Sequence, residues 1–210
     1  MRRALAMAIN RDRIVQLFGV SKWKPVLSLL PAQLDSAAPP AALTWVQLSL
    51  ADRIARARGY VSEHPGLPEI RVALPEGASS RLLFAALADD WRRIGVRARL
   101  VGADAPADLR LIDEVAPQSS AHWYLARVSC AHKMPCSQPG EAALNAVGLA
   151  TTQDDRAAAI AEADAAFASN QPYIPIALPL RWSLVGPQLT GWRASAFAIH
   201  PLQHLRPAHQ

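Results

Sequence analysis

The sequence predicts an α/β fold, and three successive segments carry this prediction. Residues 70–74 alternate between apolar and polar side chains, as a half-buried strand does. The turn after them opens a helical pattern that reaches about Ile94, Gly95 ends that helix, and residues 96–101 alternate again. Because a strand–helix–strand crossover of this length favours parallel pairing with a right-handed connection, we expect a parallel sheet.

The chain opens with a predicted amphipathic helix. Its apolar residues lie on one face at helical spacing: Leu5, Ile9, Val15 and Phe18. Arg11 and Arg13 are expected to face water. The apolar stretch that precedes them is too short for an export signal and has no small-residue cleavage site, so none is expected within this chain.

A proline-rich loop and a second helix follow. Residues 22–42 contain four prolines, which exclude a continuous helix or a central strand and predict an extended loop. Helical spacing returns at 43–59, with Gly59 as the expected terminator. Prolines at 65 and 68 then separate this helix from the sheet.

The last third of the chain is predicted to add one strand, two helices and a tail. Alternation at 108–115 indicates a third short strand, and residues 141–149 and 152–169 have helical spacing. From Pro172 onward, prolines alternate with apolar residues that favour strands. This tail is expected to form an edge strand and a closing loop.

The charge distribution and the sequence motifs limit the classes of function that the sequence predicts. Lys and Arg number 22 against 17 Asp and Glu, a net charge of +5. The arginines are scattered, without a zinc-finger, helix-turn-helix or aromatic-studded basic pattern, so they predict a solvated surface and no nucleic-acid partner. The sequence has no G-x-S-x-G elbow, H-E-x-x-H helix or Gly-rich dinucleotide turn. It therefore predicts binding rather than catalysis, with no cofactor.

Four segments, in register, resemble one family. Residues 2–11 read RRALAMAINR, and residues 91–96 read WRRIGV at the end of a helix. Residues 155–176 end with the sequence NQPYIPI, and residues 189–192 read LTGW. These segments are similar to the family 5 extracellular solute-binding proteins of oligopeptide, dipeptide and nickel ABC transporters. Asn10 stands where that family usually has aspartate, which is expected to change a local cap or ion pair.

The resemblance implies a fold and a role. It covers the C-terminal portion of such proteins, whose two α/β lobes of the class II periplasmic-binding kind close on a ligand. Residues 1–170 would form one ligand-binding lobe, and residues 171–210 the crossover and tail strands that complete the other lobe. An exposed apolar face would await the missing N-terminal lobe.

The implied function is that of the substrate-binding component of an ABC importer. Its partners would be a peptide or similar small solute and an ABC permease in the membrane, and its location the periplasm. An interaction or regulatory module that uses the same lobe without transport remains the alternative.

Candidate ligand-binding residues follow from the resemblance and from the sheet. Peptide binders of the family receive the ligand's ammonium on an aspartate, and the corresponding stretch here supplies Asp113 and Glu114. His122, Trp123 and Tyr124 follow as a candidate aromatic wall. Solvated acids at a strand end and aromatic residues of the core are the competing interpretations.

Two further groups of residues are candidates for other roles. Gly77, Ser79 and Ser80, at the turn into a helix, are candidates for an anion cradle or for an ordinary serine cap. Cys130 and Cys136 are disulfide candidates because the family works in an oxidising compartment. A metal site that includes His132 matches no standard spacing and is not expected, and two free thiols are the remaining alternative.

Overall fold

The computed structural model describes residues 1–32, 34–132, 134–195, 197 and 199–208. Within them are seven α-helices and seven short strands. The helices are α1 Arg2–Ala8, α2 Arg11–Phe18, α3 Leu50–Ser62, α4 Ala78–Arg92, α5 Ala121–Ala126, α6 Gln138–Leu149 and α7 Gln153–Asn170. The strands are β1 Lys24–Pro25, β2 Ile70–Ala73, β3 Ala98–Val101, β4 Leu109–Arg110, β5 Ala177–Leu178, β6 Leu189–Thr190 and β7 Arg206–Pro207.

A parallel three-stranded sheet in the order β3-β2-β4 lies at the centre. Val72 of the middle strand is in register with Leu100 on one side and Leu109 on the other. Helix α4 connects β2 to β3, so the predicted α/β class and the parallel pairing are confirmed. The strands are shorter than expected, and β4 has only two residues.

The segment predicted to form one N-terminal helix forms two helices instead. The cause is a tertiary contact, between residues that are far apart in sequence. Asn10 caps α2, where its Oδ1 accepts from the Arg13 N–H at 3.0 Å, and its own N–H donates to Asp90 Oδ2 at 2.9 Å. The chain therefore bends at Ile9, and α1 is buried from Ala4 to Ala8. The expected apolar stripe is wrong at two positions, because Ile14 rather than Val15 is in the core and Arg11 is buried.

Helix α3 begins seven residues later than predicted. Ser49 Oγ accepts from the Asp52 N–H at 3.1 Å, which starts the helix at Leu50. Gly59 does not end the helix, which continues to Ser62. The residues from 44 to 48 form turns instead, and Trp45 packs from them into the core with 2% of its surface exposed.

A second core surrounds the last helices. Residues of α5, α6 and α7 pack together, with Leu125, Ile160 and Phe167 fully buried. Helix α5 was not predicted, because six residues are too few to show helical periodicity. The Arg2 guanidinium donates to the carbonyls of Asn170 and Gln171 at 2.8 Å, which ties α1 to the end of α7.

The tail departs from the expected strand. Ala177–Leu178 forms a short strand that pairs antiparallel with Lys24–Pro25, and β6 pairs with β7 farther on. Large apolar side chains of the tail are exposed: Leu178, Leu180, Trp182, Leu184, Ile199 and Leu202. The division at residue 170 stays a prediction. In the described part of the chain, every helix is too short or too polar to cross a membrane.

Candidate functional site

Two candidate segments leave the sheet at the same edge. Strands β2 and β4 are parallel neighbours, so residues 74–77 and 111–114 both start from their carboxyl ends. The Leu111 N–H donates to the Ala73 carbonyl at 3.1 Å and extends the pairing by one residue. Ligands in open α/β sheets bind outside this edge, so the topology places both segments on the side where a ligand is expected.

The turn into α4 differs from a serine cap. Gly77 is the N-cap residue, with φ +145°, a conformation that a residue with a side chain rarely adopts. Ser79 and Ser80 lie inside the first turn of the helix, and no side chain caps it. The serine-cap interpretation is therefore wrong. Ser79 is exposed and Ser80 is buried, so only the Ser79 hydroxyl and the first-turn amides face outward.

Asp113 and Glu114 both have arginine partners. Asp113 forms an ion pair with Arg181 of the tail, and Glu114 forms one with Arg127, just after α5. All four side chains are between about one third and one half exposed. The interpretation as solvated acids is thus incomplete, because each carboxylate is already neutralised within the chain.

Helix α5 presents the aromatic residues. The Ala121 N–H donates to Asp35 Oδ1 at 2.8 Å at its start, and the buried Leu125 anchors it on the second core. The rings of Trp123 and Tyr124 meet edge to face, with centroids 5.1 Å apart. Tyr124 also packs against the second core, and burial raises the pKa of its hydroxyl, so core packing accounts for part of its role.

Arg127 joins the acidic and aromatic candidates. Its guanidinium lies 5.9 Å from the centre of the Trp123 ring and pairs with Glu114. Glu114, Arg127 and Trp123 therefore form one group. His122 is half-buried on the same helix. No hydrogen bond or ion pair between described residues links this group to the turn at Gly77.

The sequence interpretation missed both arginines. Arg127 follows Trp123 by four positions, which is the spacing of neighbours on a helix, so this signal was available. Arg181 carries no local signal, because its partner lies 68 positions away in the chain.

Cys130 and Cys136 form a disulfide directly after α5. The bridged loop is held at two points. The Cys130 N–H donates to Glu141 Oε1 at 2.7 Å, and Asn170 Nδ2 donates to the Pro135 carbonyl at 2.9 Å. The bond uses both thiols, and across the described residues no group of His, Cys, Asp and Glu is arranged to hold a metal ion.

A surface cavity of about 370 Å³ lies along the proline-rich segment at residues 30–40. The described residues that line it are mostly alanine, proline and leucine, and Ser36 contributes a hydroxyl group. Asp35, in the same segment, holds the first amide of α5, so the cavity is near the base of the aromatic helix. Neither composition nor spacing indicated this feature in the sequence.

Comparison with known proteins identifies the fold. No family model matches the chain, and no curated protein matches it. Among solved structures, it is similar to OppA of Burkholderia pseudomallei, with a TM-score of 0.81 and 17% identity over 99% of this chain. It is also similar to a dipeptide-binding protein from Pseudoalteromonas sp. SM9913 in complex with Met-Leu, with a TM-score of 0.76 and 18% identity over 99% of the chain.

A third similar structure is a periplasmic oligopeptide-binding protein from Borrelia burgdorferi, with a TM-score of 0.77 and 14% identity over 99% of the chain. The chain spans about 45% of the length of each of these three proteins. The fold expected from the sequence resemblance, that of part of a solute-binding protein, is therefore confirmed.

Proposed function

We propose that this chain forms a ligand-binding lobe of a solute-binding protein that serves an ABC importer and takes peptides or similar small solutes. The observation that carries the proposal is the match of 99% of the chain to part of a peptide-binding protein. On this proposal the protein acts by binding and closure and is not an enzyme. A lobe of this fold that binds a protein partner instead of a solute is the alternative.

The proposed ligand site combines the carboxyl edge of the sheet with α5. Asp113 and Glu114 would receive the ligand's ammonium group, and the arginine partners would receive its carboxylate. The rings of α5 would cover the apolar part of the ligand, with His122 beside Trp123 and Tyr124. The first-turn amides after Gly77, including those of Ser79 and Ser80, would add N–H donors, and Ser79 would add a hydroxyl donor.

The ion pairs support a ligand that carries both charges. A cation alone would have to displace a guanidinium and leave it unpaired, which gains no ion pair. A zwitterion such as a peptide can pair with the carboxylate and the guanidinium together. Because the four side chains are partly exposed, each internal pair is worth only about 0–1 kcal/mol, so the exchange costs little.

The proposed partners are a second lobe and a membrane permease. The exposed large apolar side chains of the tail, from Leu178 to Leu202, support a covering partner, because a partner that covered them would remove their apolar surface from water. The periplasm is the proposed location. The Cys130–Cys136 disulfide supports it, since such bonds persist in oxidising compartments.

Peptide titration of the 210-residue chain followed by NMR tests the proposal. Trialanine carries both terminal charges, and its N-acetylated, C-amidated form carries neither. We expect trialanine to shift the backbone amides of residues 111–127 at millimolar concentration, because one lobe leaves much of the ligand hydrated. The blocked peptide should shift them less.

Three variants define the outcome. Asp113→Asn and Trp123→Ala should weaken the trialanine shifts, whereas Glu63→Gln, an exposed acid after α3, should leave them unchanged. Equal shifts with the blocked peptide would contradict the proposed ligand site. So would the absence of shifts in the wild-type chain at the highest soluble concentration of trialanine.

A further inference from the structure

Two arginines and one tryptophan form a cluster outside the proposed ligand site. The Cζ of Arg11 lies 5.7 Å from the centre of the Trp45 ring, and the Cζ of Arg53 lies 5.8 Å from it. Arg11 is 4% exposed and Trp45 is 2% exposed, while Arg53 is partly exposed and gives the cluster an edge toward solvent. We call this group the Arg–Trp–Arg cluster.

Each member of the Arg–Trp–Arg cluster has a buried N–H group without a partner. Arg11 donates from Nε to the Pro175 carbonyl at 2.7 Å and from Nη1 to the Ala6 carbonyl at 3.1 Å, but its Nη2 finds no acceptor in the described part of the chain. Trp45 Nε1 and Arg53 Nε are also buried without an acceptor among the described residues. Three orphan donors around one ring are unusual, because buried polar groups are normally paired.

Among the described residues, no carboxylate lies within ion-pair distance of either arginine of the cluster. In the described part of the chain, neither Arg11 nor Arg53 forms an ion pair, whereas Arg13, two positions along, pairs with both Asp89 and Asp90. Burial, and then the charge of Arg53, lower the pKa of Arg11 to about 10, and the charges of Asp12 and Asp90 offset only part of this. Burial also lowers the pKa of Arg53, and Asp12 offsets only part of that lowering. Burying a guanidinium without an anion is costly.

We propose that the Arg–Trp–Arg cluster binds a small oxyanion, a carboxylate or inorganic phosphate, through Arg11 Nη2, Arg53 and Trp45 Nε1. An anionic oxygen supplies both an acceptor for these donors and a negative charge in direct contact with the guanidinium groups. The orphan donors and the unpaired guanidinium groups are independent of the peptide site, so this inference does not rest on the proposed transport role.

Thermal unfolding in different anions tests the site. We expect sodium phosphate or sodium acetate to raise the melting temperature of the 210-residue chain above its value in sodium chloride of equal ionic strength, with saturation, because a ligand that binds only the folded state stabilises it. Phosphate and acetate are tested in separate experiments, so the response shows whether the site binds phosphate or a carboxylate. A response to either one supports the site.

Two variants and one control assign the effect. Arg53→Gln should weaken oxyanion binding about tenfold, since it removes one charged donor. Trp45→Phe keeps the aromatic ring but loses the N–H, and should also weaken binding. Arg56→Gln changes an exposed arginine on the same helix and should bind like the wild type. The proposal is overturned if neither oxyanion raises the melting temperature beyond chloride, or if Arg53→Gln responds as fully as Arg56→Gln.

Discussion

Replacing Gly140 with alanine is expected to destabilise the protein, whereas the same change at Gly148, in the same helix, is expected to stabilise it. Both glycines lie in α6, so the two variants gain similar helix propensity. They differ in surroundings. A Cβ at Gly140 would lie 2.8 Å from Cε1 and 2.9 Å from Cδ1 of Phe167, but a Cβ at Gly148 would have nothing within 4 Å.

The magnitude follows from the packing around Phe167. Carbon atoms normally meet at about 3.5–4.0 Å, so the ring would have to move by roughly 0.7 Å or more. Phe167 is fully buried in the second core, and the close packing of protein interiors resists a shift of this size. Overpacking of this kind costs about 1–3 kcal/mol, and replacing a helical glycine returns about 0.5–1 kcal/mol.

The balance predicts a loss of about 1–2 kcal/mol for Gly140→Ala and a gain of about 0.5 kcal/mol for Gly148→Ala. Urea unfolding monitored by circular dichroism measures both. With a slope of about 2 kcal/mol per molar urea, the two midpoints should differ by about 1 M. Equal midpoints would refute the claim that the Phe167 ring limits the space at Gly140.

A double variant isolates the contact. Phe167→Leu shortens the side chain that a new Cβ would meet, so Gly140→Ala should cost less in the Phe167→Leu background than in the wild type. We expect the two substitutions to couple by about 0.5 kcal/mol or more, as residues in direct contact do. Strict additivity would show that the cost of Gly140→Ala arises elsewhere.

Two further predictions concern a buried acid and the disulfide. Burial raises the pKa of Asp164, and the Ala41 N–H that donates to its Oδ2 at 2.7 Å lowers it only in part. A raised carboxyl pKa destabilises the ionised folded state, so Asp164→Asn should be more stable than the wild type at pH 7. This difference in the free energy of unfolding should shrink as the pH falls through the raised pKa toward the ordinary carboxyl range. Urea unfolding at a series of pH values measures it. A difference that is constant with pH would contradict the assignment to Asp164. The Cys130–Cys136 bond closes a loop with a sequence separation of 6, so reduction should cost about 2 kcal/mol, as measured by unfolding with and without reductant. The Cys130→Ser/Cys136→Ser double variant is the control, and its stability should not respond to reductant.

Local pattern was sufficient to predict the centre of the fold. The alternation at 70–74 and 96–101 and the helical pattern between them correspond to β2, α4 and β3, because these elements are regular and bury one face each. The same logic failed at the N-terminus. Asn10 breaks the first helix through a hydrogen bond to Asp90, a fully buried carboxylate 80 positions away, and no local pattern contains that contact.

Arg11 shows why the burial of a side chain can be wrongly predicted from sequence. An arginine next to polar residues is normally exposed, and the helical spacing put Arg11 on the water side. In the structure its guanidinium is held by backbone carbonyls from three places, including Pro175, 164 positions away. Backbone acceptors have no signature in the sequence, so neither this burial nor the Arg–Trp–Arg cluster was predictable.

The candidate site was predictable in its residues but not in its charge state. Asp113 and Glu114 were predicted to receive a cation because they fall in the stretch that corresponds to the family's ligand-binding aspartate. The fold brings Arg181 from the tail and Arg127 from the end of α5 to these two carboxylates. Without a ligand, the edge of the sheet therefore holds two neutral pairs rather than two free charges.

This pairing changes where ligand affinity must come from. A ligand ammonium that takes over a carboxylate replaces one exposed ion pair by another, and exposed pairs of either kind contribute about 0–1 kcal/mol. The exchange becomes favourable when the new pair is shielded from water, since shielding strengthens every charge interaction. In the proposed binding protein, a covering second lobe would provide that shielding. On this argument, the acids and arginines select which ligands fit, while closure over α5 and the sheet edge determines how tightly they bind.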